Sequence, residues 1–189
     1  MKKSYYVFGL AMLIMCACGG QKQLVQKAQE DTEVIVPCSG PEYMTSADYF
    51  RANAMGLSNS MEIASQKAMT AARAKLAAAI QTTVKTVTDN YASSYEVNQQ
   101  EEARGRFQSL TREVVNQKLN GVRVICQKTM KSPDGQYKCY VAVELAGNEI
   151  AQAMNNRISN DEKLRTDFEY EKFKKVFDEE MKKEAAEQH

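Results

Sequence analysis

One long apolar stripe constrains this chain more than any other feature. Ile63, Ala64, Ala68, Ala71, Ala72, Leu76, Ala79, Ile80, Thr83, Val87 and Tyr91 recur at steps of three and four residues. That is the period of one face of an α-helix. Asn59 with Glu62 three places on predicts a capping box at its start. The alanines bring the stripe close to whatever it packs on, which favours a sheet face over a pocket. From Ser60 to Tyr91 such a helix reaches about 48 Å. That exceeds a small core, so its far end is expected to protrude or to bend near Thr82–Thr88, where β-branched residues gather.

The partner sheet is visible further along. Gly121–Met130 (GVRVICQKTM) and Gln136–Leu145 (QYKCYVAVEL) are β-rich runs around Ser132-Pro133-Asp134-Gly135. Pro, Asp and Gly in that order suit a type I turn with a bulge, and hence a hairpin. In its second strand Tyr137, Cys139, Val141, Val143 and Leu145 share one face, while Lys138, Tyr140 and Glu144 take the other. A single apolar face predicts a sheet covered by helices on one side. Tyr49–Met55 (YFRANAM) alternates and stops at Gly56, predicting another strand. A second helix is predicted over Gln99–Leu119 with Phe107, Leu110, Val114, Val115 and Leu119 inward. The expected fold class is α+β: a small antiparallel sheet in β-α-α-β-β order with helices on one face. A C-terminal amphipathic helix follows, opened by Ser159 and Glu162 as a capping box and striped by Leu164, Phe168, Phe173, Val176, Phe177 and Met181.

The start of the chain has a different character. Lys2 and Lys3 precede an uncharged apolar run from Tyr5 to Met15, about the length of a signal-peptide core and too short to span a bilayer. Ala17-Cys18-Gly19-Gly20 follows and resembles the bacterial lipobox. The resemblance implies cleavage before Cys18, diacylglycerol on its sulfur and acylation of the new amine. Two or more acyl chains give a stable anchor, at roughly 0.8 kcal/mol per buried methylene. Met15 and Cys16 depart from the commonest lipobox residues, and Cys16 is a competing cysteine behind a poorer cleavage residue. Residues 1–17 are then the signal peptide and 18–32 a polar tether. The domain is expected over 33–158 and the last helix over 159–189. The domain opens on the short β-branched stretch Glu33–Pro37 and the turn cluster Cys38-Ser39-Gly40-Pro41. No acidic run follows Cys18, which favours a protein facing the periplasm, and the expected location is the outer membrane.

The order of elements resembles a known family. Phe50-Arg51-Ala52, then Gly56, then a helix carrying Ala64, Ala68, Ala71, Ala72-Arg73 and Leu76, then a helix and a hairpin, is similar to the twenty-kilodalton bacterial outer-membrane lipoproteins. A domain of a flagellar assembly protein looks related to the same family. The resemblance spans roughly Ser46 to Leu145. It implies a compact layered fold and an envelope location, and no catalytic residue.

Composition narrows the chemistry. Loss of Lys2 and Lys3 takes the 25 Lys and Arg to 23 against 24 Asp and Glu, a balance that gives no reason to expect nucleic acid. The single histidine is His189, the last residue. Histidine-based triads and metal sites need an ordered imidazole, so neither a metal nor a cofactor is expected. With Cys18 lipidated, Cys38, Cys126 and Cys139 remain. In an oxidising compartment they suit one disulfide and one odd thiol, either Cys126 with Cys139 or Cys38 with one of them. Three buried thiols are the alternative. Glu101-Glu102, Asp161-Glu162 and Asp178-Glu179-Glu180 read as solvated faces. Phe168, Tyr170, Phe173 and Phe177 form an aromatic set that either packs on the domain or serves as a partner-binding helix. The expected role is a non-enzymatic envelope lipoprotein. Its expected partners are the bilayer, through acylated Cys18, and an envelope protein or a second copy of itself, met at the tail helix or a sheet edge. A periplasmic small-ligand binding module, with its pocket between sheet and long helix, is the alternative.

Overall fold

A computed structural model of the protein describes residues 34–93, 100–165 and 168–188. The elements are β1 (Tyr49–Ser58), α1 (Met61–Ala92), α2 (Gln100–Lys118), β2 (Arg123–Lys131), β3 (Tyr137–Ala146), α3 (Gly147–Ser159) and α4 (Tyr170–Glu187). The strands form one antiparallel sheet in the order β1-β3-β2, so the fold is α+β. The hairpin's second strand is central, and Cys139 and Val141–Leu145 are buried along it. α1 packs on β1 and β3, while α2 and α4 pack on α1.

α1 follows its stripe closely. Ala64, Ala68, Ala72, Leu76, Ile80, Thr83, Val84, Val87 and Tyr91 are buried, whereas Ile63 is exposed. The cap lies one residue later than the capping box suggested. Ser60, with extended backbone, accepts the Ile63 N–H at 3.5 Å. The far end does not protrude. Val84, Val87, Tyr91 and Ala92 are covered there, where α2 and α4 lie against the helix. Its β-branched cluster is accommodated because Thr82, Thr83 and Thr86 each donate a hydroxyl to the carbonyl four residues back.

β1 runs through Gly56 to Ser58 rather than stopping at the glycine. Gly56 is where helix and strand meet most closely. A Cβ there would lie 2.1 Å from the Ala64 carbonyl oxygen and 2.6 Å from the Ala68 nitrogen. Small residues on both elements therefore produce one close backbone approach, which is what the alanine stripe implied.

In the hairpin, Gly135 takes φ 86°, the left-handed region that glycine adopts without strain. Ser132 donates its N–H to Gln136 at 2.8 Å and accepts that of Gly135 at 2.9 Å. The register pairs Thr129 with Cys139 and, beyond a bulge, Cys126 with Ala142. Cys126 and Cys139 therefore face opposite sides of the sheet.

α3 follows β3 without a loop. The Gly147 N–H bonds to the Asp48 carbonyl at 2.8 Å, and Ile150, Ala151, Met154 and Ile158 are buried. Ser159 ends this helix and does not begin the last one. Asp161 instead accepts the N–H groups of Lys163 and Leu164 at 3.0 and 3.1 Å, making a turn. α4 starts at Tyr170.

Candidate functional site

The sheet has two unlike faces. The inner one, with Phe50, Cys139, Val141, Val143 and Leu145, is closed by helices. Across the outer face the register sets successive rows: Arg51, Glu144 and Arg123; then Asn53, Ala142 and Cys126; then Met55, Tyr140 and Lys128; then Leu57, Lys138 and Met130.

Part of this outer face is covered by the segment before β1. Cys38 is disulfide-bonded to Cys126, with Cα atoms 5.6 Å apart, and its backbone takes the left-handed φ of 57°. Thr45, fully buried, donates its hydroxyl to the Arg51 carbonyl at 3.2 Å and accepts the Arg51 N–H at 3.1 Å. Its own N–H reaches the Gln188 side chain at 2.9 Å, which ties this strap to the residue after α4. Val34–Val36 belong to no strand and are exposed.

Glu144 is the one buried carboxylate among the described residues. Arg51 Nε donates to Glu144 Oε2 at 2.9 Å, and Arg123 Nε donates to Oε1 at 2.9 Å with a second bond from Arg123 Nη2. Both carboxylate oxygens are thus satisfied from flanking strands, and Arg51 lies 5.4 Å over the Tyr49 ring. Burial alone would raise the Glu144 pKa, but the bonds and charges of Arg123 and Arg51 outweigh it and hold the carboxyl below its ordinary range. A lowered folded pKa means stability that is present above the ordinary carboxylate range and is lost as pH falls through the folded value. Glu144→Gln should therefore be less stable than wild type at pH 7, by about 1–3 kcal/mol. Solvent screens the share from Arg123, whose side chain is 69% exposed. The gap between the two proteins should narrow as pH falls below the ordinary carboxylate range and Glu144 takes up its proton. A constant gap down to pH 3 would contradict this role for Glu144.

The structure brings Cys38 and Cys126 together and leaves Cys139 as a free buried thiol on the inner face. There the Cys139 sulfur accepts from the Thr129 hydroxyl at 3.6 Å. The aromatic set of the tail helix is not a partner surface. Phe173 and Phe177 are buried and Phe168 is half-buried. Phe177 meets Phe50 edge-on, with ring centroids 6.2 Å apart, and Tyr91 gathers Phe168 and Phe173 at 5.7 and 5.9 Å. The Tyr91 hydroxyl accepts the Glu169 N–H at 2.7 Å. The helix carries an apolar stripe because it closes the far end of α1.

The carboxylate runs do not converge on a cleft. Asp161 binds Arg106 at 2.8 Å, and Glu102 pairs with Lys163 and Arg106. These bonds join α2 to the turn after α3, beyond the solvated faces their clustering suggested. Among the described residues no three His, Cys, Asp or Glu side chains are grouped to hold a metal ion, and no helix is long and apolar enough to cross a membrane. Cys18 and His189 lie outside the described residues.

Among the described residues, two surface hollows bear on ligand binding. One, of about 220 Å³, lies between α1 and α2 beside Gln81, Lys85, Gln108, Thr111 and Arg112. The other, of about 210 Å³, lies beside Tyr49, Gly121, Arg123, Glu144 and Glu149. Both are below the roughly 300 Å³ at which small-molecule sites begin. The interface between sheet and α1, where a ligand pocket was the alternative, is filled at Gly56 and the buried alanines. Compared with known proteins, the chain matches no family model and no curated protein.

Proposed function

We propose that this chain is a bacterial envelope lipoprotein, anchored to the outer membrane by lipid on Cys18 and facing the periplasm, with a non-catalytic structural or protein-binding role. The observation that supports it most is the Cys38–Cys126 disulfide. Such bonds persist in oxidising compartments outside the cytoplasm, which is where a leader ending at Ala17 would deliver the chain. The resemblance to the twenty-kilodalton lipoproteins implies the same location. With the apolar stripe of the tail helix buried, the surface offered to a partner strand is the outer edge of β2, whose residues are exposed or half-buried throughout. Lys128, Lys131 and the bulge guard that edge against indiscriminate pairing.

Fractionation of cells tests the anchor. Wild type is expected in the membrane pellet after a high-salt wash. Cys18→Ala is expected to lose lipid-dependent extraction into the detergent phase. A variant that still partitions into detergent like wild type would contradict the reading.

A further inference from the structure

The outer sheet face is only half covered. The strap from Cys38 onward lies over the rows of Glu144 and Cys126. The next two rows stay open: Met55 is 48% exposed, Leu57 38% and Met130 48%, beside Lys128, Lys138 and Tyr140. The chain enters at the boundary between the halves, since the Cys38 sulfur lies 3.8 Å from the Tyr140 carbonyl. Just before it, Ile35 is 88% and Val36 44% exposed. Exposed apolar side chains in one patch signal an interaction surface.

The charge on this surface is one-sided. On this face the three strands carry Arg51, Arg123, Lys128 and Lys138 against Glu144 alone. Glu144 is already neutralised by Arg51 and Arg123, so the open rows hold lysines and no acid. The chain as a whole is close to neutral, so this basic excess is local. Methionine and leucine flanked by lysine is the chemistry of an anionic lipid surface. The apolar groups enter the headgroup boundary and the ammonium groups sit at the phosphates.

We infer that the open half of the outer sheet face, with Ile35 and Val36, is a membrane-contacting surface that lays the domain on anionic lipid. The inference rests on the anchor at Cys18. Fifteen residues lie between Cys18 and Val34, and even fully extended that stretch spans at most about 55 Å. A chain held that close meets the bilayer at high effective concentration, so a weak face suffices to orient it. The face that the chain enters is the one best placed for that contact.

The test uses the full-length protein purified from membranes and reconstituted into vesicles of phosphatidylcholine, with or without about a third phosphatidylglycerol, an anionic fraction large enough to give a negative surface potential. Flotation reports attachment. Sulfoxide formation at Met55 and Met130 under dilute peroxide, followed by mass spectrometry, reports the face. We expect flotation with both vesicles and oxidation on the order of tenfold slower on the anionic ones. Protection should weaken at high salt and be lost in Lys128→Glu/Lys138→Glu, while that variant still floats. Flotation with equal oxidation rates on both vesicles would overturn the inference and leave the anchor standing. Failure to float would overturn the anchor and the inference together. Protection in intact envelopes but on neither vesicle would overturn it in favour of a protein partner.

Discussion

Gly56→Ala is expected to lower stability by about 3 kcal/mol or more, at the upper end for overpacking. The new methyl carbon would meet the Ala64 carbonyl oxygen at 2.1 Å and the Ala68 nitrogen at 2.6 Å. Both are backbone atoms, so no rotamer change relieves the clash and α1 must lift from β1. In a domain of this size that shifts Tm by roughly 10 °C. Gly105→Ala is the matched control. Gly105 sits in α2 with nothing within 4 Å of the added carbon, so the substitution should stabilise by about 0.5–1 kcal/mol. Calorimetry of the two variants reads both effects. Equal melting of Gly56→Ala and wild type would contradict the close packing of helix on strand.

Breaking the Cys38–Cys126 bond is expected to cost still more. The bond closes a loop with a sequence separation of 88, and chain entropy for a loop that long predicts about 4 kcal/mol or slightly more. Cys38→Ser, Cys126→Ser and the double variant should lose similar amounts, because the second substitution removes nothing that the first has left. Reduction of the wild type should match them. Cys139→Ala should leave the disulfide and most of the stability intact, since Cys139 is unbonded and on the other face. Urea midpoints with and without reductant measure the series. Insensitivity of wild type to reductant, or an equal response from Cys139→Ala, would contradict the pairing.

The parts of the fold that were legible in the sequence are those where one period runs long. α1 and α2 repeat at helical spacing over many turns, and the hairpin alternates around a turn whose residues name its type. Local signals were less dependable. Asn59 and Ser60 are both good caps, and only the backbone conformation chooses Ser60. Ser159 and Glu162 have capping-box spacing, yet Ser159 ends α3, and the turn belongs to Asp161. α3 is hard to read from the sequence because no loop separates it from β3, although Ile150, Met154 and Ile158 carry its stripe.

The candidate site was legible only in part. The sequence leaves the pairing among Cys38, Cys126 and Cys139 open. It could not say that the strap would carry Cys38 across to Cys126. Glu144 was placed on the outer face by alternation, but its partners come from two other strands, and Arg51 is 93 residues away. The tail aromatics looked the same as a core stripe or as a partner helix, and α1's length decides between them by needing cover.

The claim on which the function depends is that lipid is attached at residue 18. Mass spectrometry of the N-terminal peptide of the protein purified from its native membrane tests this directly. The account predicts a peptide that begins at Cys18 and carries acyl chains on its sulfur and its amine. A peptide beginning elsewhere, or a Cys18 without lipid, would contradict it.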